Sequence, residues 1–186
     1  MAYIYSIGLL RKVKKHLQQG GVIAYPTESC YGLGCDPFNY QAINRVIRLK
    51  GRSKNKGLIV IAAKFAQLKH LIQPLTDKEI IALKEFWPGF YSIILPVRQE
   101  LPANLTGIHH KLAVRLSKHQ GVTQLCNFLA MPLVSTSANK SGCRSIRDYR
   151  ECKRQFGRQV MVLPGVTGFA KKPSTIIDWH TRQKLR

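Results

Sequence analysis

Residues 43–63 read INRVIRLKGRSKNKGLIVIAA, and the hydrophobic pattern changes within this stretch. In its first part Ile43, Val46 and Ile47 recur at the spacing of one face of a helix. After a basic turn that contains two glycines, residues 58–63 form a continuous apolar run with the length of a buried strand. A helix that leads directly into a buried strand is typical of α/β folds.

The same alternation of helix and strand patterns continues on both sides of this stretch. Ser6 is expected to cap a helix that ends at Gly20 and Gly21. The order Thr76-Asp77-Lys78-Glu79 has the spacing of a capping box and predicts a helix start. Further elements are predicted as strands at 22–25, 91–97, 112–116, 132–136, 160–163 and 175–177, with helices at 122–129 and from a Ser145 cap through Phe156. The pattern predicts an α/β fold with a mixed sheet, in a single domain that covers residues 1–186.

The charge balance is strongly basic. The chain has 186 residues, with 30 Lys and Arg against 9 Asp and Glu, a net charge of +21. Such an excess attracts polyanions and speeds their association, so a phosphate-rich partner is expected, with nucleic acid as the first candidate. An RNA-binding protein of ribosome or tRNA maturation without catalysis therefore remains an alternative to an enzyme.

Composition and motifs exclude several other classes. With 45% hydrophobic residues the chain can bury a core, so a disordered protein is disfavoured. No apolar run approaches the roughly 20 residues of a membrane helix, so we expect no membrane association and a cytoplasmic location. The five cysteines form no C-x-x-C pair, which argues against a disulfide framework or a zinc site. No P-loop, G-x-G-x-x-G or G-x-S-x-G motif is present.

Three polar segments follow predicted helices or strands, where ligands collect in open α/β sheets. Residues 26–34, PTESCYGLG, offer a hydroxyl, a carboxylate and a phenol beside two glycines. Residues 49–57, LKGRSKNKG, place four cations within seven positions, which suits phosphate oxygens. Residues 132–142, PLVSTSANKSG, supply hydroxyl and amide groups. Taken singly, each segment also fits a plainer interpretation: a polar turn, a solvated basic face and a helix cap, respectively.

Taken together, the segments resemble a known family. The pieces VIAYPTESCYGLGCDP, RLKGRSKNKGLIVIA, WPGFYSIILP, LAVRLSKH, PLVSTSANKSG, LPG and KPSTIID occur in the order found in the YrdC/TsaC/Sua family of threonylcarbamoyl-adenylate synthases. The resemblance covers nearly the whole chain and is closest to the short bacterial form. It implies a twisted open mixed sheet with flanking helices and a positively charged concave cleft. It also implies a nucleotidyltransferase that condenses L-threonine, bicarbonate and ATP to threonylcarbamoyladenylate and pyrophosphate. The product serves N6-threonylcarbamoyladenosine formation at position 37 of ANN-decoding tRNAs.

The resemblance assigns roles to individual residues. The catalytic set is expected to converge on the phosphates and the reacting carbamate, and it consists of Lys50, Arg52, Ser137 and Asn139. Threonine is expected to be bound by Thr27, Tyr31 and Arg115. Further nucleotide contacts are expected from Lys56, Ser174 and Arg186. Mg²⁺ would be carried mainly by the ATP phosphates rather than by a protein-built metal site, and the partners would be tRNA or structured RNA and the downstream tRNA threonylcarbamoyl-transfer proteins.

Some positions depart from the family pattern. Ser53 stands where proline is frequent after K-x-R, Phe90 and Ser92 replace a proline and a threonine, and Ser29 takes a place often held by threonine or alanine. A second alternative is a carbamoyl-adenylate enzyme like the YrdC-like module of hydrogenase-maturation proteins, which would use carbamoyl phosphate. Those modules occur in longer chains with zinc-finger-like cysteines, which this sequence lacks.

Overall fold

The computed structural model describes residues 4–98 and 101–186. Helices and strands alternate through them, as the sequence predicts. In chain order the elements are α1 (Ile7–Gln18), β1 (Ile23–Pro26), β2 (Tyr31–Gly34), α2 (Tyr40–Lys50), β3 (Ile59–Ala62), a 3₁₀ turn (Phe65–Leu68), α3 (Asp77–Leu83), β4 (Tyr91–Pro96), α4 (Ala103–Thr106), β5 (Lys111–Leu116), α5 (Gln120–Leu129), β6 (Leu133–Ser137), α6 (Tyr149–Phe156), β7 (Met161–Val162) and β8 (Thr175–Asp178).

All eight strands join one sheet in the order β7-β1-β2-β6-β3-β5-β4-β8. Three neighbouring pairs, β1/β7, β3/β5 and β4/β8, are parallel, and the other four pairs are antiparallel. The sheet is open, with β7 and β8 at its two ends. The prediction of an open mixed sheet with flanking helices is confirmed.

Local signals set most helix starts. The Ser6 side chain accepts a hydrogen bond from the backbone of Leu9 at 3.3 Å, and Thr76 and Glu79 form the predicted capping box. The predicted cap at Ser145 is wrong. The helix α6 begins after Asp148, whose carboxylate accepts from the backbone N–H of Glu151 at 2.9 Å. A carboxylate caps at least as well as a serine hydroxyl, and its charge also complements the helix dipole.

The segment at 26–34 is not one polar turn. The chain reverses at residues 27–30, and Tyr31–Gly34 returns as β2 in antiparallel register with β1. Gly34 permits this arrangement, because a Cβ there would collide with the carbonyl oxygen of Val134. Two of the four residues in the short YGLG run are glycines, which are depleted in strands, so the sequence did not predict β2.

Helices cover one face of the sheet only in part. The helices α1 and α5 pack on the side chains of Ile23, Tyr25, Leu133 and Leu163, while α2, α3 and α6 belong to the core cluster that contains Val60, Val114 and Val134 on the opposite face. Side chains of a strand alternate between faces. Consequently the part of the first face formed by β3, β4, β5 and β8 is left without a helix over it, and a cavity opens there. Within the described ranges no helix is long and apolar enough to cross a membrane.

Candidate active site

The cavity has a volume of about 450 Å³ and a floor built from the sheet. The strand register aligns one row across it, in which Ile59 lies beside Ser135 and Ala113, and Ile94 lies beside Ala113 and Asp178. Loops at 27–30, 50–58, 106–109 and 173–174 and the C-terminal residues 185–186 contribute the walls. The three polar segments singled out in the sequence therefore border one hollow.

Lys50 lies at the centre of the contacts between two of these segments. The helix α2 ends at this lysine because Gly51 adopts a left-handed conformation, φ 61°. The Lys50 ammonium donates to the Ser137 carbonyl at 2.7 Å, the Ser137 hydroxyl at 3.0 Å and the Asn139 side-chain oxygen at 2.9 Å. The Ser141 N–H donates to the Lys50 carbonyl at 2.8 Å. Residues almost 90 positions apart thus form one polar cluster.

The environment of Lys50 is unfavourable for its charge. The residue is 5% exposed. Burial, together with repulsion from Arg52, lowers the pKa of Lys50 to about 8. An anion that entered the cavity would supply the missing opposite charge and favour the ammonium form.

Two arginines face the same cavity beside Lys50. Arg52 donates to the carbonyl oxygens of Lys56 at 3.2 Å and Gly57 at 2.8 Å, so its guanidinium is held against the start of β3. Arg186 donates to the Ser174 carbonyl at 3.2 Å. Burial lowers the pKa of both arginines, and repulsion from Arg52 lowers that of Arg186 further. Two cations that repel each other across a cavity make a suitable site for a phosphate group.

The C-terminal residues reach the cavity by pairing with the edge strand. The Leu185 N–H donates to the Ile176 carbonyl at 2.8 Å, and the Ile176 N–H donates to the Arg186 carbonyl at 3.1 Å. This short return along β8 places the Leu185 and Arg186 side chains in the lining.

The opposite end of the cavity is lined by Arg115 and Thr27, and Glu28 contacts Arg115 from outside the lining. Arg115 is 6% exposed, forms an ion pair with Glu28 and lies over the Phe90 ring at 4.8 Å. Glu28 also accepts from the Ser117 hydroxyl at 2.8 Å. Burial raises the pKa of Glu28, but the Arg115 charge and the hydrogen bonds outweigh it, so the net effect is a lowered pKa. The guanidinium is therefore fixed in a charged environment, where it can bind a carboxylate.

Three predicted site residues lie outside the lining of this cavity. Tyr31 is fully buried, and its hydroxyl donates to the Gly165 carbonyl at 2.7 Å, so the structure does not bring its phenol to the cavity. Lys56 and Asn139 line an adjoining hollow of about 360 Å³ instead. Lys50 and Arg52 line both hollows and form the boundary between them.

The structure adds cavity residues that the sequence reasoning missed. Lys111 and Asp178 both line the cavity and form an ion pair at 2.8 Å. The alternation in β5 was the available signal, because Lys111 shares a face with Arg115. Ser92, one of the departures from the family pattern, is buried, and its hydroxyl lies 2.9 Å from that of Ser174.

The described residues do not offer a metal-binding cluster. No group of three or more His, Cys, Asp or Glu side chains among them is placed to hold a metal ion. Asp178, the acidic residue of the described lining, is ion-paired with Lys111.

Several known proteins are similar to this chain in sequence or in structure. The Sua5/YciO/YrdC family model, described as "Telomere recombination", matches residues 15–186. The threonylcarbamoyl-AMP synthase of Chromobacterium violaceum is 48% identical to this chain over 96% of this chain and 92% of its own length. That of Methylobacillus flagellatus is 50% identical over 95% of this chain and 98% of its own length. The structure of P. abyssi Sua5 complexed with L-threonine superimposes with a TM-score of 0.84 at 30% identity, covering 92% of this chain. The present chain spans about half the length of that protein, 51%.

Proposed function

Since the chain belongs to the Sua5/YciO/YrdC family, we propose that it is a threonylcarbamoyl-AMP synthase. It condenses L-threonine, bicarbonate and ATP to threonylcarbamoyladenylate and pyrophosphate. The product is the precursor of N6-threonylcarbamoyladenosine in tRNA, and downstream proteins transfer the threonylcarbamoyl group. The enzyme works in the cytoplasm, where ATP and tRNA are available.

One observation carries the proposal most directly. The Lys50 ammonium contacts Ser137 and Asn139 at the edge of a cavity that also contains Arg52, and Arg115 lies in the same cavity. Cations at one end suit a triphosphate, and a fixed guanidinium at the other end suits an amino-acid carboxylate. Such an arrangement holds two substrates side by side, and orientation of this kind removes a large part of the barrier of a reaction between separate molecules.

The reaction follows from this placement. Arg115 binds the threonine carboxylate, and the threonine amine combines with bicarbonate to give an N-carboxylate and water. One oxygen of the N-carboxylate attacks the α-phosphorus of Mg·ATP, and the bond to pyrophosphate breaks. The attacking group and the triphosphate are both anionic, so Lys50, Arg52 and Arg186 lower the barrier by stabilising negative charge. Thr27 and Ser174 border the amino-acid end and the nucleotide end, respectively.

The experiment is direct detection of the product. The protein is incubated with threonine, bicarbonate and Mg·ATP, and threonylcarbamoyladenylate and pyrophosphate are measured by mass spectrometry and a coupled assay. Arg52→Ala is expected to lower the rate by about 100-fold, because a stabilising charge is removed. Arg48→Ala, an exposed arginine on α2, is the matched control and should retain activity. Product formation from carbamoyl phosphate without threonine would contradict the proposed substrate, and an unchanged rate in Arg52→Ala would contradict the proposed role.

A contact with RNA is a second proposal, and the loop between β7 and β8 favours it. In this loop Phe169 is 99% exposed and Val166 is 84% exposed, beside the exposed Lys171 and Lys172. Backbone hydrogen bonds of 2.9 Å and 3.0 Å fasten residues 168 and 170 to the turn at residues 27–28, on the cavity rim. An exposed aromatic ring beside cations can stack on an unpaired base while the lysines contact phosphates.

The RNA contact is tested by binding of unmodified ANN-decoding tRNA at several salt concentrations. The triple change Phe169→Ala, Lys171→Ala and Lys172→Ala should weaken binding and reduce the slope of log K against log salt by roughly 2, since two phosphate contacts are lost. The matched control changes Ile81, Lys78 and Lys84 on α3 to alanine. Equal losses in the two triple variants would show that only net charge matters and would contradict a contact at this loop.

A further inference from the structure

Ser137 and Lys50 have the geometry of a hydroxyl nucleophile and its base. The Lys50 Nζ lies 3.0 Å from the Ser137 hydroxyl oxygen at the end of β6. At this distance a base can take the proton from an attacking hydroxyl. Both side chains line the cavity, so a molecule that enters it meets both of them.

The neighbours of the Lys50 amine leave one place for a proton donor. The Ser137 carbonyl oxygen at 2.7 Å and Asn139 Oδ1 at 2.9 Å can only accept hydrogen bonds. A neutral amine has two N–H groups and one lone pair, so its two N–H groups serve these acceptors. The lone pair is then left for the Ser137 hydroxyl, which is able to donate. The remaining contact, to the Asn139 carbonyl, is longer at 3.4 Å.

Asn139 fixes the orientation of the amine. Its side-chain NH₂ donates to the Lys140 carbonyl at 2.8 Å and to the Cys143 carbonyl at 2.7 Å. Both amide hydrogens are used in this way, so the amide oxygen faces Lys50. Ser137, Lys50 and Asn139 thus take the places of nucleophile, base and orienting group.

Lys50 can lose its proton close to neutral pH. It is buried, and it forms no ion pair among the described residues. Burial is the main cause of its lowered pKa of about 8, the Arg52 charge lowers the pKa further, and Cys30 opposes the shift. About one molecule in ten therefore holds a neutral amine at pH 7 while the cavity is empty. A bound polyanion favours the ammonium form instead.

The arginines of the same lining suit the charge that an attack on an acyl group creates. Arg52 uses Nε and Nη2 on the carbonyls of Lys56 and Gly57, and its Nη1 has no hydrogen-bond partner among the described residues. Arg186 lines the cavity as well. Attack on an acyl carbon produces a negative oxygen, which cations stabilise. The positive lining also attracts phosphate-bearing molecules more than neutral esters.

We propose that Ser137 is a nucleophile, activated by Lys50, that takes acyl groups from acyl phosphates. The Ser137 oxygen attacks the acyl carbon while its proton passes to Lys50 Nζ. The bond between the acyl carbon and the phosphate oxygen breaks, and Lys50 gives the proton to the departing phosphate. Water then hydrolyses the ester on Ser137, which restores the hydroxyl and releases the carboxylate and a proton. This activity needs neither threonine nor ATP, so it is independent of the proposed function.

The test uses acetyl phosphate and the protein alone, without nucleotide or threonine. Phosphate release above the spontaneous rate is measured, and the rate is expected to rise with pH with a midpoint near pH 8. Ser137→Ala and Lys50→Met should each lower this rate at least 100-fold, because the nucleophile or its base is removed. A fluorophosphonate, which forms a stable adduct with activated serines, is expected to label Ser137, as located by peptide mass spectrometry.

Two further variants separate the base from other roles of these residues. Lys50→Arg keeps a positive charge but does not release its proton, so its rate should fall as in Lys50→Met. Ser145→Ala changes a half-exposed serine that lines neither hollow, and it should retain the wild-type rate. Urea unfolding of each variant verifies that it is folded, and if Lys50→Arg does not fold, Lys50→Met decides.

Each outcome supports or overturns the proposal. A wild-type rate in Ser137→Ala, or a wild-type pH profile in Lys50→Arg, would overturn it. Labelling by the fluorophosphonate at other residues in place of Ser137 would overturn it as well. A protein that hydrolyses acetyl phosphate through Ser137 but makes no adenylate would support this inference and refute the proposed function, whereas the reverse result would overturn this inference alone.

Discussion

Replacing Lys50 by methionine should separate stability from function. With a pKa of about 8 in place of the ordinary 10.5, the folded protein disfavours the charged lysine by roughly 3 kcal/mol, at 1.36 kcal/mol per pKa unit. Lys50→Met removes this cost, but it leaves the Ser137 and Asn139 oxygens without their donor, which costs about 1–3 kcal/mol. The two effects nearly cancel. We therefore expect the free energy of unfolding at pH 7 to change by no more than about 1 kcal/mol.

Nucleotide binding should respond very differently. Lys50 borders both hollows and supplies a charge for the triphosphate, so its loss should weaken ATP binding by about 100-fold. The assays are urea unfolding and calorimetric titration of ATP on the same preparations. Lys54→Met, an exposed lysine in the same loop, is the matched control.

The pH dependence of stability gives an independent check on Lys50. Its pKa is lowered in the folded state, so between about pH 8 and 10.5 the unfolded chain binds more protons than the folded protein. The wild-type stability should therefore rise relative to Lys50→Met across this window, and ATP affinity should fall as Lys50 loses its proton. A loss of more than 3 kcal/mol in Lys50→Met at pH 7, with no relative change at higher pH, would refute the reasoning and identify the ammonium as a structural tie.

Three further changes test other parts of the site and the fold. Arg115→Ala should raise the KM for threonine at least tenfold and leave the Kd for ATP unchanged. It should also lower the free energy of unfolding by roughly 3 kcal/mol, because Glu28 loses its buried partner. Adding Glu28→Gln should recover part of that loss in urea unfolding, and no recovery would contradict the ion-pair account. Arg186→Ala should weaken ATP binding about tenfold. The control is Arg182→Ala, which should leave ATP binding unchanged, since the Arg182 guanidinium lies over the Trp179 ring, 3.6 Å from its centroid. Equal effects of the two changes would mean that the C-terminal pairing and not the Arg186 charge is responsible. Thr76→Ala should lower the free energy of unfolding by about 1 kcal/mol through loss of the cap on α3, with adenylate formation unchanged.

The charges of Lys50, Arg52 and Arg186 favour the binding of an anion. Lys50 and Arg186 have lowered pKa values, and each is lowered in part by the charge of Arg52. A bound triphosphate would reduce this repulsion, so part of the ATP binding energy is expected to come from its opposite charge. Sites that are electrostatically strained in this way are commonly less stable than a neutral replacement.

Local sequence signals determined the elements and the family. The capping box at Thr76 and the change from helical to strand period around Gly51 depend on residues a few positions apart, so they could be identified before the fold was known. The motif order, supported by the family match over residues 15–186, likewise required no structure. The Ser145 cap was wrong because several polar residues in that region are able to cap a helix, and the structure shows that Asp148 caps α6.

Only the tertiary structure decided which side chains meet. The Lys50 contacts with Ser137 and Asn139 depend on the end of α2 reaching the end of β6, and the Lys111–Asp178 pair depends on β5, β4 and β8 lying in that order. Tyr31 is part of a family motif, yet β2 directs its ring away from the cavity lining to the Gly165 carbonyl. The physical reason is that periodicity and capping arise from neighbours in the chain. Strand order and register are set by the packing of the whole core, which no local pattern records.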